Sequence, residues 1–148
     1  MRRRHLVATA VVLIIIGTGV VYQARGGGPQ RPPVPGAVSS AVTQSNIDQT
    51  ICIPGYSASV RPPSGYTGAI KAQLMARVGS TNGSDWELDH AIPISIGGDP
   101  KSVDNLWLEP IDDAKAKDKY ENVGHREVCA GHETLAEAQR KCIEEACR

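Results

Sequence analysis

Three arginines at positions 2 to 4, followed by an apolar run from Leu6 to Tyr22 (LVATAVVLIIIGTGVVY), decide how much of this chain is free to fold as a globule. A segment that is apolar all round has no polar face to turn to water, so it belongs in a membrane or to an export signal rather than in a core. The basic flank stays on the inner side, which sends everything after Tyr22 out of the cytoplasm. Residues 1–24 are therefore either a cleaved signal peptide or a retained membrane anchor, and Tyr22, standing where a peptidase prefers a small residue, weighs toward the anchor. Residues 25–41 (RGGGPQRPPVPGAVSSA) offer almost nothing to bury and read as a disordered linker with extended pieces. The folding unit is then 42–148, exported and either held at the membrane facing outward or released as a secreted or periplasmic domain.

That unit has no Phe and only two Trp, so its core is built from Ile, Leu, Val and Ala and is small. All four cysteines (Cys52, Cys129, Cys142, Cys147) fall inside it, as expected of a disulfide-stapled exported domain. Three pairings are open. In one regular α-helix Cys142 and Cys147 would sit roughly 8 Å apart at Cα, too far to bridge, so they can pair only if the chain turns there. Zinc fits less well, because no C-x2-C pair is present and His125 and His132 repeat no ligand spacing.

The formal net charge of zero hides an asymmetry. Residues 1–41 carry five Arg and no acid, whereas 42–148 carry eleven Lys plus Arg against sixteen Asp plus Glu, which leaves the folded part at −5. A domain that grips DNA chiefly by neutralising phosphates would be basic. Tight, metal-free DNA binding is disfavoured, while an enzyme that meets a phosphate through a few local charges is not.

Periodicity and turn chemistry predict a helix over Tyr66 to Arg77 closed by Gly79, a half-buried strand over Asp85 to His90, and a turn at Gly97-Gly98-Asp99-Pro100. Ile92, Ile94 and Ile96 continue the strand alternation past Pro93, which suggests a β-hairpin. A helix follows over Asp112 to Val128, with Gly124 weakening its last turn, and Thr134 to Glu137 forms a capping box for a final helix.

The chemistry concentrates in WELDHAIPISIGGDPKSVDNLWLEP, residues 86–110. An Asp-His pair closes a strand, a Gly-Gly loop follows, then Asn-Leu-Trp, then a helix. At a strand end Asp89 and His90 can both turn toward one cleft. An imidazole that titrates near neutrality suits deprotonation of water, and a carboxylate-held cation suits the charge on a phosphate.

The pattern DH-x2-P-x3-GG, followed by Asn105-Leu-Trp and a Lys-Asp-x2-Glu helix, resembles the HNH, or ββα-metal, endonuclease family. More narrowly it is similar to small exported HNH-like proteins, a likeness that extends to Thr50–Tyr56, Val60–Pro62, Val128-Cys129 and Leu135, Ala138 and Gln139. The resemblance implies an α+β fold with a small ββα-metal core and flanking helices, acting as a metal-dependent phosphodiesterase on nucleic acid, DNA ahead of RNA. It makes His90 the general base, Asp89 a ligand of a divalent ion (Mg2+, with Mn2+ or Zn2+ as alternatives), and Asn105 the residue that ties the loop carrying the His. Lys117 stands where a phosphate-contacting Lys is expected. No small-molecule cofactor is implied, and the membrane is a partner only if the N-terminal segment is retained.

The chain departs from the family pattern in its helix. The usual second ligand falls at Ala114, which cannot bind a cation. Asp118, or the adjacent Asp113, would have to supply the oxygen, and Asp118 shares a helix face with Glu121, Asn122 and His125. A solvated charged face is the competing reading of that cluster. Lys115, Lys119 and Arg126 read as ordinary solubility charges. Arg61, on a rigid turn before two prolines, is aimed at a phosphate or at a carboxylate. His132 reads as exposed, His125 as a weak candidate for metal or phosphate, and Trp86 and Trp107 as core. The acidic charge and Ala114 keep an alternative open: a catalytically inactive HNH-fold binding or interaction module at the cell envelope.

Overall fold

The computed structural model describes residues 36–147. The apolar leader assigned to 1–24 and the linker as far as Pro35 lie outside the described residues. The fold is α+β: a two-stranded antiparallel sheet with helices on both sides. Among the described residues no helix is long and apolar enough to cross a membrane.

The described residues reach into the segment assigned to the linker. Val38 bridges Gly98, the Ser39 N–H donates to Gly97 O (2.8 Å), and the Asp99 N–H donates to Ala37 O (2.9 Å). Composition missed this because the bonds are made by backbone, and the Gly-Gly loop leaves its own backbone groups open to them. A 3-10 helix over Gln44–Gln49 then drops Ile47 into the core, and a short helix α1 (Tyr56–Val60) leads to Pro62-Pro63. Those prolines fix the start of α2 (Ser64–Arg77), two residues before its expected beginning.

The first strand, β1 (Trp86–His90), falls where alternation placed it. Its partner does not. β2 is Leu106–Pro110, in the register Leu88↔Leu108, Asp89↔Trp107 and His90↔Leu106. Ile92 to Ile96 form no strand: Pro93 starts a 3-10 turn over Ile94–Ile96. The pairing that a strand would give Ile92 comes instead from Asn105, whose Oδ1 accepts the Ile92 N–H (2.8 Å) and whose Nδ2 donates to Ile92 O (3.0 Å). The alternating isoleucines are buried all the same, with Ile92 and Ile96 in the main core cluster.

The two glycines are required for different reasons. Gly97 takes φ of 83°, the left-handed region. At Gly98 a Cβ would collide with the Ile92 carbonyl oxygen and stand 2.9 Å from Asn105 Nδ2.

Helix α3 (Ile111–Cys129) leaves directly from β2, with Pro110 at its N-cap and Asp112 and Asp113 against its positive end. It passes through Gly124, buried in the helix, and so runs slightly beyond the expected end. Helix α4 (Leu135–Lys141) opens on the Thr134–Glu137 capping box. A single π-turn over Cys142–Ala146 follows, in which the Cys147 N–H donates to Cys142 O (2.9 Å). That wider turn brings the two Cα atoms to 4.7 Å, so Cys142 and Cys147 pair after all. Cys52–Cys129 pins the segment before α1 to the end of α3. Beside it the His125 Nε2–H donates to Ile51 O (2.8 Å), which gives that ring a structural task.

Candidate active site

Adjacent residues on a strand face opposite ways, and at the end of β1 the pleat persists. Asp89 points to the α3 side, where its carboxylate ion-pairs with Lys117. His90 lies instead on the α2 side and lines a cleft of about 340 Å³ with Arg61, Thr67, Lys71 and Leu88. The expectation that both turn toward one cleft is therefore corrected: they belong to two environments, one peptide apart.

On the α2 side the ring of His90 is buried, and Nε2 lies 3.2 Å from Pro100 O. A carbonyl only accepts, so Nε2 carries the hydrogen and Nδ1 is left with its lone pair. Nδ1 bonds to nothing among the described residues. Burial lowers the imidazole below its ordinary value, outweighing the Pro100 hydrogen bond and the Asp89 charge that favour protonation. The ring is thus held neutral at physiological pH, with its second nitrogen basic and without a hydrogen-bond partner among the described residues.

Asn105 secures the loop that supplies this carbonyl. Fully buried, it bonds both backbone groups of Ile92 and donates to Asp99 O (2.9 Å), next to Pro100. Tyr66 of α2 donates its hydroxyl to Lys101 O (2.7 Å), closing the loop against the helix. Arg61 is exposed and makes no ion pair or hydrogen bond among the described residues. Lys71 lies across the cleft, held by Gly83 O (2.8 Å) and Trp86 O (2.6 Å).

The α3 side is closed. Lys117 is 2 % exposed and its ammonium meets Asp89, Glu109 Oε2 (2.7 Å) and His90 O (2.9 Å). Three N–H groups and three acceptors leave nothing to offer a phosphate, so the expected phosphate contact at Lys117 is not made by this arrangement. Burial alone would raise the Asp89 carboxyl, but Lys117 and hydrogen bonds from Glu109, Lys117 and the His90 N–H hold it below the usual range. Glu109 takes the opposite shift: burial, then its hydrogen bond with Asp89, pushes it to about 8. Sequence reading missed Glu109, although a lone acid inside the apolar strand LWLEP, in register to share a face with Asp89, was a usable signal.

The divalent ion implied by the family resemblance does not fit these residues. Both Asp89 oxygens are engaged, one by the His90 N–H (2.7 Å) and one by Lys117. Ala114 is buried and has no donor, while Asp118 is exposed and pairs with no cation among the described residues. Among the described residues no group of three or more His, Cys, Asp or Glu is arranged to hold a metal ion. Asp118 instead joins Glu87 and half-buried Glu121 in an acidic cluster, where burial and then the Asp89 charge push Glu121 to about 7.

A larger hollow of about 510 Å³ lies between Gly36, Ile92 and α4, but its charged residues, Arg140 and Glu144, pair with each other (2.7 Å). Trp107 is buried as expected of core, His132 is exposed beside Glu127 (3.0 Å), and half-buried Trp86 donates to Ser80 Oγ (2.9 Å). No family model, curated protein or solved structure matches this chain.

Proposed function

We propose that the domain hydrolyses phosphodiester bonds of nucleic acid, DNA ahead of RNA, as an HNH-type nuclease working outside the cytoplasm. The observation that carries this reading is the imidazole of His90, which donates Nε2–H to Pro100 O and faces a cleft that also holds an unpaired arginine. In the reaction, Nδ1 takes a proton from water, the resulting hydroxide attacks phosphorus, and the bond to the leaving oxygen breaks. Arg61 offsets the negative charge that builds on the phosphate. Asn105 acts at one remove, by holding the loop that aligns the ring.

The succession β1, β2, α3 and the DH…GG…N pattern support the narrower ββα reading of the fold. Two disulfides support an oxidising compartment, in keeping with the apolar leader and a membrane-held or secreted form. The closed α3 side favours a second reading, a non-catalytic module on the same fold.

Cleavage of plasmid DNA and of RNA by the full-length oxidised protein separates the two. Hydrolysis by the wild type that is lost in His90→Ala supports the nuclease. Unchanged cleavage by folded His90→Ala overturns it, and a wild type inert with Mg2+, Mn2+ and Zn2+ supports the module.

A further inference from the structure

We infer that the Lys117 ammonium is the resident cation of this domain: it holds the position a divalent ion would take beside Asp89, and Asp89 and Glu109 can bind such an ion only once Lys117 is removed. Three oxygens converge on Nζ, from the Asp89 carboxylate, the Glu109 carboxyl (2.7 Å) and the His90 carbonyl (2.9 Å). Two carboxyl groups, of which Glu109 would release its proton on binding, and a backbone carbonyl form a hard-oxygen donor set of the kind that Mg2+ or Mn2+ accepts. Here it is filled by a group that cannot diffuse away. The amine is delivered from α3, its side chain is 2 % exposed, and that of Glu109 is 1 % exposed.

An incoming ion would have to expel a tethered charge of its own sign from a place where the compensating Asp89 carboxylate is already paired. The α3 position expected to supply a further ligand is Ala114, which has no donor. Breaking a buried pair without replacing it is strongly unfavourable, so the ammonium is retained. The consequence is a fixed positive charge behind the peptide of His90, independent of metal supply and indifferent to chelators. The hydrolytic reading gives this charge its purpose, but the occupancy itself is tested by binding alone.

The test is Mn2+ binding by the full-length oxidised protein, read from the electron paramagnetic resonance signal of free Mn2+. Any Mn2+ held by the wild type should survive Asp89→Asn. Lys117→Met should gain one bound Mn2+ per chain, and Lys117→Met/Asp89→Asn should lose it again. Should Lys117→Met fail to fold, the wild type decides by nuclear magnetic resonance: added Mn2+ should cause no selective broadening of the Asp89 and His90 amide signals. Wild-type binding abolished by Asp89→Asn, selective broadening at those amides, or a folded Lys117→Met that takes up no Mn2+ would each overturn the inference. Failure of the cleavage assay leaves all of these readouts intact.

Discussion

The two faces of β1 begin one peptide apart and end in opposite conditions. On the Asp89 face the buried charge is matched inside the protein, by Lys117 against Asp89 and Glu109. On the His90 face the ring keeps a free nitrogen and Arg61 has no ion-pair partner among the described residues. Buried charges that are already satisfied hold a structure in place, whereas a buried base and an exposed cation left over are what a substrate can complete. The Asp-His pair is thus not one catalytic unit. Its first member is ion-paired to Lys117 and its second lines the cleft.

The strongest way to break this contrast is Lys117→Met, which leaves two buried carboxyls without their cation. A loss of about 3–5 kcal/mol is expected, read as a lowered denaturant midpoint. Wild-type stability in this variant would mean that the Asp89 face is not closed. Next comes Asn105→Ala, which strands the Ile92 N–H and the Ile92 and Asp99 carbonyls. Roughly 3 kcal/mol of stability and most of the cleavage should go together, and a variant that kept full cleavage would show that the loop does not orient His90.

The pH dependence of stability probes the closed face without mutation. Glu109, at about 8, and Glu121, at about 7, are raised from 4.5, so the folded chain holds protons that the unfolded chain releases. Their contribution is complete below the unfolded value and is lost as pH rises through 7 and 8. Asp89 and His90 are lowered from 3.8 and 6.5, so their opposite contributions are already complete above pH 7. Between pH 7 and pH 8 the melting temperature should therefore fall through Glu109, with Glu109→Gln flattening the decline. A melting temperature that rises over this window contradicts the assignment. The smallest effect is that of Arg61→Gln, a loss of roughly tenfold in kcat/KM, about 1.4 kcal/mol, with the denaturant midpoint unchanged. A shift in that midpoint would show Arg61 to be structural.

What was legible in the sequence was local. The Thr134–Glu137 capping box, the strand ending at His90 and the glycines at 97 and 98 each follow from a few neighbouring residues, and each stands where expected. Ile92, Ile94 and Ile96 misled because burial, not strand pairing, sets their spacing, and the side chain of Asn105 takes the place of a neighbouring strand. The Cys142–Cys147 bridge was withheld by α-helical geometry and supplied by one π-turn. The split between Asp89 and His90, and the capture of Lys117 by Glu109, depend on the register of β1 with β2 and on the seat of α3, which no short window of sequence contains.

The most direct test of the account is the protonation of His90 itself, read from the two-bond proton–nitrogen correlations of its imidazole in the folded wild type at pH 7. The account predicts a neutral ring protonated at Nε2, with Nδ1 bare and a titration midpoint below that of an ordinary histidine. A ring protonated at Nδ1, or charged at both nitrogens, would contradict it.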